Sequence, residues 1–236
     1  KFEMIFNDAT DGMRELLNIP DNFQIFFTGS ATEIWERIFQ NLVESSSFHL
    51  VNGSFSKRFH EFGIQLNKRA EKIEVAAGQG FDDHVNVSQD NELIAVTHNE
   101  TSTGVSLPLV WIHDLKRQHP RSLLAVDAVS SLPYPSFDPN AVDSLFFSVQ
   151  KGFGMPAGLG VWMVNDKCVA KAEALAAHVL PRVVIPAPEQ VRDGPDEGGE
   201  VRLTHGAACY LGERRGPISS RHRAHEPGAS CPSGWR

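Results

Sequence analysis

The stretch Phe23-Gln24-Ile25-Phe26-Phe27-Thr28-Gly29-Ser30-Ala31-Thr32-Glu33-Ile34 changes its period halfway along, and that change decides the fold. Phe23 to Phe27 is an apolar run of strand length, Thr28-Gly29 interrupts it, and Ser30 followed by Glu33 makes an S-x-x-E capping box. The box predicts an amphipathic helix to about Val43. A buried strand feeding straight into a capped helix is one unit of an α/β domain, and the pattern continues on both sides. Upstream, Phe2, Ile5, Phe6, Ala9, Met13, Leu16 and Leu17 recur at helical spacing. Downstream, strands are predicted at Phe48 to Val51, Ile73 to Ala76, Leu93 to Thr97, Leu123 to Asp127, Ser144 to Ser148 and Leu159 to Val164. Helices are predicted over Phe55 to Lys68, after Pro108, and over Lys167 to His178 with Asp166 as cap. This alternation predicts a three-layer α/β sandwich with a mostly parallel central sheet.

Composition agrees and sets limits. The chain has 236 residues, 41% hydrophobic and 22% charged, with a net charge of −7. It is long enough to bury a large core and too acidic for a nucleic-acid-binding surface. Its apolar runs are too short to span a membrane, and Lys1 opens a polar helix-like stretch rather than a secretory signal. Cys168, Cys209 and Cys231 are spaced too irregularly for a disulfide framework or a zinc cluster, which fits a reducing, cytoplasmic setting. His49, His60, His84, His98 and His113 form no metal-ligand spacing, so no metal site is expected. Residue usage then divides the chain. All 15 Phe and all 4 Met lie in 1–179, whereas 180–236 holds seven of the 14 Pro and eight of the 19 Gly. The second part is too poor in large apolar side chains to offset chain entropy, and reads as a disordered tail or a non-native continuation. The folded domain is expected over 1–179.

In an open parallel sheet, strand C-termini and helix N-termini converge, so chemistry belongs there. Four such ends carry unusual residues: Thr28 to Thr32, His98-Asn99-Glu100-Thr101, Asp127, and Gln150-Lys151. Thr28 to Thr32 leads into a helix N-terminus whose free amides and positive dipole end suit a phosphate, and equally suit simple capping. Lys151 lies between an apolar strand and Gly152-Phe153-Gly154-Met155-Pro156-Ala157-Gly158. Partial desolvation there would favour a neutral, nucleophilic amine, although a lone lysine in such a place also reads as an exposed turn residue. The glycine spacing is G-x-G-x-x-x-G and runs toward a strand, which does not match a dinucleotide-binding loop. Asp127 emerges from a buried strand and needs a partner. A protonated pyridine nitrogen is one; a backbone turn is another.

Taken in chain order, Gly29-Ser30-Ala31-Thr32, Asn52-Gly53-Ser54-Phe55-Ser56, Asn99-Glu100-Thr101, Val126-Asp127 with Ser130-Ser131, and Ser148-Val149-Gln150-Lys151 leading to Gly154-Met155-Pro156-Ala157-Gly158-Leu159 resemble the class V, fold type I aminotransferases, and most closely their phosphoserine aminotransferase branch. The resemblance implies pyridoxal 5'-phosphate as cofactor, a homodimer, and transfer of an amino group between an amino acid and a 2-oxo acid. It implies that Lys151 bonds to the cofactor aldehyde and then shuttles a proton, and that Asp127 pairs with the ring nitrogen. Phe55 would stack on the ring, Thr101 would bond its phenolic oxygen, Gln150 would touch that region or the phosphate, and the backbone at Ser30 and Ala31 would hold the phosphate. Because the resemblance starts at the family's first large-domain helix and fades near His178, the chain is expected to be truncated at both ends relative to that family. Two other readings share the fold: a non-catalytic fragment that keeps only the cofactor-binding fold, and a cysteine desulfurase or lyase. Against the latter stand Gln150, where those enzymes usually carry His, and Cys168, which falls inside a predicted helix.

Overall fold

The strand, turn and helix read from residues 23–43 form as expected. In the computed structural model, which describes residues 1–88 and 90–178, β1 (Phe23–Thr28) turns at Gly29 into α2 (Ala31–Leu42). Helix α1 (Phe2–Leu17) precedes them. There follow β2 (Ser46–Val51), α3 (Ser54–Gln65), β3 (Arg69–Glu74), β4 (Leu93–Thr97), the short ribbon β5 (Asn99–Glu100) and β6 (Val105–Ser106), and α4 (Leu109–Gln118). The chain continues through β7 (Leu123–Asp127), β8 (Ser144–Ser148), β9 (Gly160–Asn165) and α5 (Asp166–His178). The distinct character expected of residues 180–236 lies outside the described residues.

Seven strands form one sheet in the order β1-β9-β8-β7-β4-β2-β3. Only β9 runs antiparallel to its neighbours, so the sheet is mostly parallel, as the alternation predicts. Its central strands are buried along their whole length because helices cover both faces, which is why they read as unbroken apolar runs. The pleat sends alternate residues to opposite layers. Ile94, Val96, Leu124, Val126, Leu145 and Phe147 pack in one core with Ile112 and Leu115 of α4. Leu93, Ala95, Leu123, Ala125 and Phe146 pack in the other with Ile34, Trp35, Ile38 and Phe39 of α2, Phe59 of α3 and Cys168 of α5.

Boundaries moved where tertiary pairing outweighs local pattern. Helix α3 stops at Gln65 rather than Lys68, and Asn67 just beyond it takes the left-handed conformation at φ 58°. Strand β3 begins at Arg69, four residues before the expected start, because its polar first half pairs in parallel with β2 from Ser46 onward. The β5–β6 ribbon has no signal in the hydrophobic pattern.

At the N-terminal edge of the sheet, Asp143 is buried just before β8 and organises its surroundings. Lys116 Nζ lies 2.5 Å from Asp143 Oδ2 and donates to the Ser122 carbonyl at 2.7 Å. The same carboxylate accepts from the Leu124 amide and from Asn165 Nδ2, each at 2.8 Å. This cluster ties β7, β8, β9 and α4 together on the side away from the residues discussed next.

Candidate active site

Register places the polar strand ends along one edge. Thr97 pairs with Asp127, Asp127 with Phe146, Ser148 with Gly160, and Gly160 with Thr28. After β2 the chain enters α3 on one face of the sheet, whereas after β4 it enters α4 on the other. Adjacent strands whose connections leave to opposite faces open a crevice beyond their C-terminal ends, and β2 and β4 are such a pair. An apolar crevice lined by Leu17, Ile19, Phe23, Leu132, Phe137 and Leu145 lies elsewhere, within the core layer that holds α4.

Asp127 closes β7 and is only 4% exposed. Its Oδ2 accepts from Trp35 Nε1 at 3.1 Å and its Oδ1 from the Val129 amide at 3.0 Å. Burial pushes the carboxyl up to about 6; the Val129 and Trp35 hydrogen bonds pull the other way, and the negative charge of Glu100 adds to the rise. The partner inferred for Asp127 is therefore supplied in part by the protein. Trp35 is held in turn by stacking on Phe59, 5.6 Å between centroids.

The N-terminus of α2 lies against β9. A Cβ on Gly160 would fall 2.6 Å from Thr28 Oγ1, 2.7 Å from the Ser30 carbonyl carbon and 2.9 Å from the Ala31 nitrogen, so only glycine permits this approach. Ser30 Oγ accepts from the Glu33 amide at 3.2 Å. The other half of the expected box differs: Glu33 reaches the Gly29 amide at 3.0 Å, and Arg37 pairs with Glu33 at 3.0 Å. A carboxylate thus already occupies one amide of this turn, evidence that the turn suits anions. The first-turn amides of Ala31 and Thr32 have no intrahelical acceptor by the geometry of any helix start.

The N-terminus of α3 carries Phe55, 43% exposed. Its first turn is capped by Glu100, since Gly53 has no side chain to do so. Glu100 is fully buried and accepts from the Ser56 amide at 2.8 Å, Ser56 Oγ at 2.9 Å and the Phe55 amide at 3.4 Å, as well as from Ser102 Oγ at 2.7 Å. Burial raises its carboxyl, but the hydrogen bonds from Ser102, Ser56 and Phe55 outweigh that and hold it below the usual carboxylate range. Thr101, Gln150 and Lys151 are exposed at their strand ends. For Lys151 this corrects the expectation of desolvation: the glycine-rich segment 152–158 that follows is itself mostly exposed and does not enclose it.

Three buried polar atoms at these ends, Asn52 Nδ2, Thr97 Oγ1 and His98 Nδ1, have no partner. Unpaired buried polar groups are rare in native proteins and often mark a place where a polar ligand binds. With a buried carboxylate, an anion-ready helix start, an exposed aromatic ring and a lysine on the same edge, the residues present fit a phosphorylated, nitrogen-bearing aromatic cofactor. The ring of His98 also packs edge-on against Phe137 at 5.2 Å, as expected of a strand-end packing residue. Trp35, Glu100 and Thr97 had no assigned role in the sequence. Only Glu100, inside the Asn99-Glu100-Thr101 motif, stood near a signal that could have found it.

Comparison with known proteins adds an independent line. The family model for class-V aminotransferases matches residues 1–178. A phosphoserine aminotransferase of Nocardioides sp. is 29% identical over 167 residues, which cover 70% of this chain and 44% of that protein. The crystal structure of a phosphoserine aminotransferase from Cytophaga hutchinsonii superposes with a TM-score of 0.74 at 53% identity, covering 75% of this chain and 49% of the other. An aspartate aminotransferase from Thermus thermophilus does so with a TM-score of 0.60 at 25% identity, over 67% and 47%. The chain spans less than half the length of the curated relatives it matches.

Proposed function

The chain belongs to the class-V aminotransferase family, and from that premise we propose that residues 1–178 form the pyridoxal-phosphate-binding part of a transaminase of the phosphoserine aminotransferase kind. It would move an amino group between an amino acid and a 2-oxo acid, as a homodimer in the cytoplasm. Among the described residues no helix is long and apolar enough to cross a membrane. The observation that carries the reading is one juxtaposition: the buried Asp127 at the end of β7, Lys151 just past the end of the neighbouring β8, and the α2 N-terminus level with both.

Pyridoxal phosphate supplies an aldehyde that bonds an amine and a protonated ring that withdraws the electron pair left when a proton departs. This chain's residues would do the rest. The amides at Ser30 and Ala31 bind the phosphate with the α2 dipole behind them. Asp127 keeps lone pairs beyond those used by Trp35 and Val129, and a cationic ring N–H beside it would stabilise its ionised form. Phe55 would cover one ring face, Thr101 would bond the phenolic oxygen, and Gln150 would reach that region or the phosphate. Lys151 Nζ would hold the cofactor at its aldehyde carbon, with loss of water, and once displaced there by the substrate's amine it would be free to take and return the substrate's α-proton. Cys168 is 1% exposed, donates to the Asp143 carbonyl at 3.3 Å, and has its thiol pushed up by burial, which disfavours a desulfurase.

The test is the visible absorption spectrum of the full chain after pyridoxal phosphate is added and the excess removed. A band that is absent in Lys151→Ala, vanishes with borohydride and is bleached by phosphoserine or glutamate supports the proposal. A Lys151-dependent band that no amino donor alters leaves a cofactor-binding fragment, and no band at all refutes the reading.

A further inference from the structure

The geometry points to Glu100 as a positioning residue: its buried carboxylate clamps the first turn of α3 to the turn after β5, so that Phe55 and Thr101 are held in one register across the crevice. The inference rests on the function proposed above for what that register serves, but the clamp itself is a property of the chain alone.

Two segments meet at this one side chain. From α3 come the Ser56 amide, Ser56 Oγ and the Phe55 amide. From the turn come the Ser102 amide at 3.3 Å and Ser102 Oγ at 2.7 Å. Ser102 Oγ also accepts from the Ser54 amide at 2.8 Å, and Thr103 Oγ1 donates to the Asn52 carbonyl at 3.0 Å, so the clamp is doubled on both sides. Gly53 allows it: a Cβ there would lie 2.4 Å from Glu100 Cγ and 2.5 Å from Ser102 Oγ. A carboxylate at a helix N-terminus interacts favourably with the dipole, and its hydrogen bonds are charge-assisted. Thr101 sits between Glu100 and Ser102, and Phe55 between Ser54 and Ser56. The two ligand-facing residues are thus each flanked by residues of the same network. They belong to different connections, one after β2 and one after β4; among the described hydrogen bonds the carboxylate makes most of the links between them, and the Ser54–Ser102 and Thr103–Asn52 bonds make the rest.

Glu100→Gln keeps the shape and removes the charge. In the full chain without cofactor, hydrogen exchange at the Phe55, Ser56 and Ser102 amides should accelerate by about tenfold or more, while Leu124 and Val126 in the core keep their protection. Equilibrium dialysis with pyridoxal phosphate then separates positioning from direct contact. Glu100→Gln should weaken binding, and in the double variant with Phe55→Ala the two losses should be less than additive, since only Thr101 is then left to be misplaced. Should Glu100→Gln fail to fold, Ser102→Ala removes the hydroxyl between Glu100 and the Ser54 amide and should loosen the 54–56 amides alone. Unchanged exchange at those amides, or fully additive losses in the double variant, would overturn the inference. If no variant nor the parent binds pyridoxal phosphate, the proposed function falls while the exchange result still decides whether the clamp exists.

Discussion

Replacing Asp127 by Asn isolates what it costs to bury a negative charge at the end of β7. In the unfolded chain this carboxyl titrates at its ordinary 3.8, and in the fold burial moves it to about 6. Between those values the native state binds more protons than the unfolded state, so stability falls as pH rises through the window. Below it both states are protonated; above it both are ionised and the penalty is complete. A separation of about two pH units corresponds to about 3 kcal/mol. Asn has nearly the same shape and no charge, though its amide nitrogen would face one of the two donors, Trp35 Nε1 or the Val129 amide. That loss does not depend on pH, and every other titrating group is shared by the two proteins. The quantity to follow is therefore the stability of Asp127→Asn minus that of the parent, from urea unfolding by circular dichroism between about pH 4 and about pH 7, without cofactor. It should rise by about 2–3 kcal/mol across that range. Trp35→Phe, which removes one donor, should move the midpoint of the parent's own curve upward. A difference that stays flat would mean that the fold leaves the carboxyl unperturbed, and one that falls with pH that the fold stabilises the carboxylate; either would refute the argument.

Other consequences are open to test. Lys116→Met should cost about 3–5 kcal/mol in urea unfolding because it strands the buried Asp143 charge, and Lys116→Met with Asp143→Asn should recover much of it. Gly160→Ala should lose about 1–3 kcal/mol and weaken pyridoxal phosphate binding in the same dialysis assay, since two of the three atoms it would meet are backbone of the α2 start. In a variant carrying Cys209→Ser and Cys231→Ser, Cys168 should react with an aromatic disulfide reagent only as fast as the chain opens, and rapidly in urea; fast labelling of the native chain would contradict its burial.

Reading the chain alone succeeded where one local signal determines the outcome. Ser30 with Glu33 starts α2 because a capping hydroxyl acts on its own first turn. Leu123 to Asp127 reads as a buried strand because five consecutive buried residues leave no polar face to show. The same logic put Asp127 at the end of β7 and Lys151 just past β8, as polar residues at the ends of apolar runs. It failed where a residue's surroundings are built by distant segments. Lys151 looked enclosed by its own glycine-rich neighbours, yet those neighbours are exposed. Glu33 was expected to close a capping box on Ser30 and instead serves Gly29.

The amino-acid order by itself determined the alternation of strand and helix, the two-sided burial of the sheet and the strand ends at which the polar residues gather, because periodicity and capping act within a few residues. The tertiary structure alone decided which side chains serve those ends. Trp35 meets Asp127 across 92 positions of sequence, and Glu100 meets Ser56 across 44. A hydrogen bond of that span leaves no period, spacing or composition to read, because its geometry exists only once β4 and β7 lie side by side and α2 and α3 are packed on the sheet.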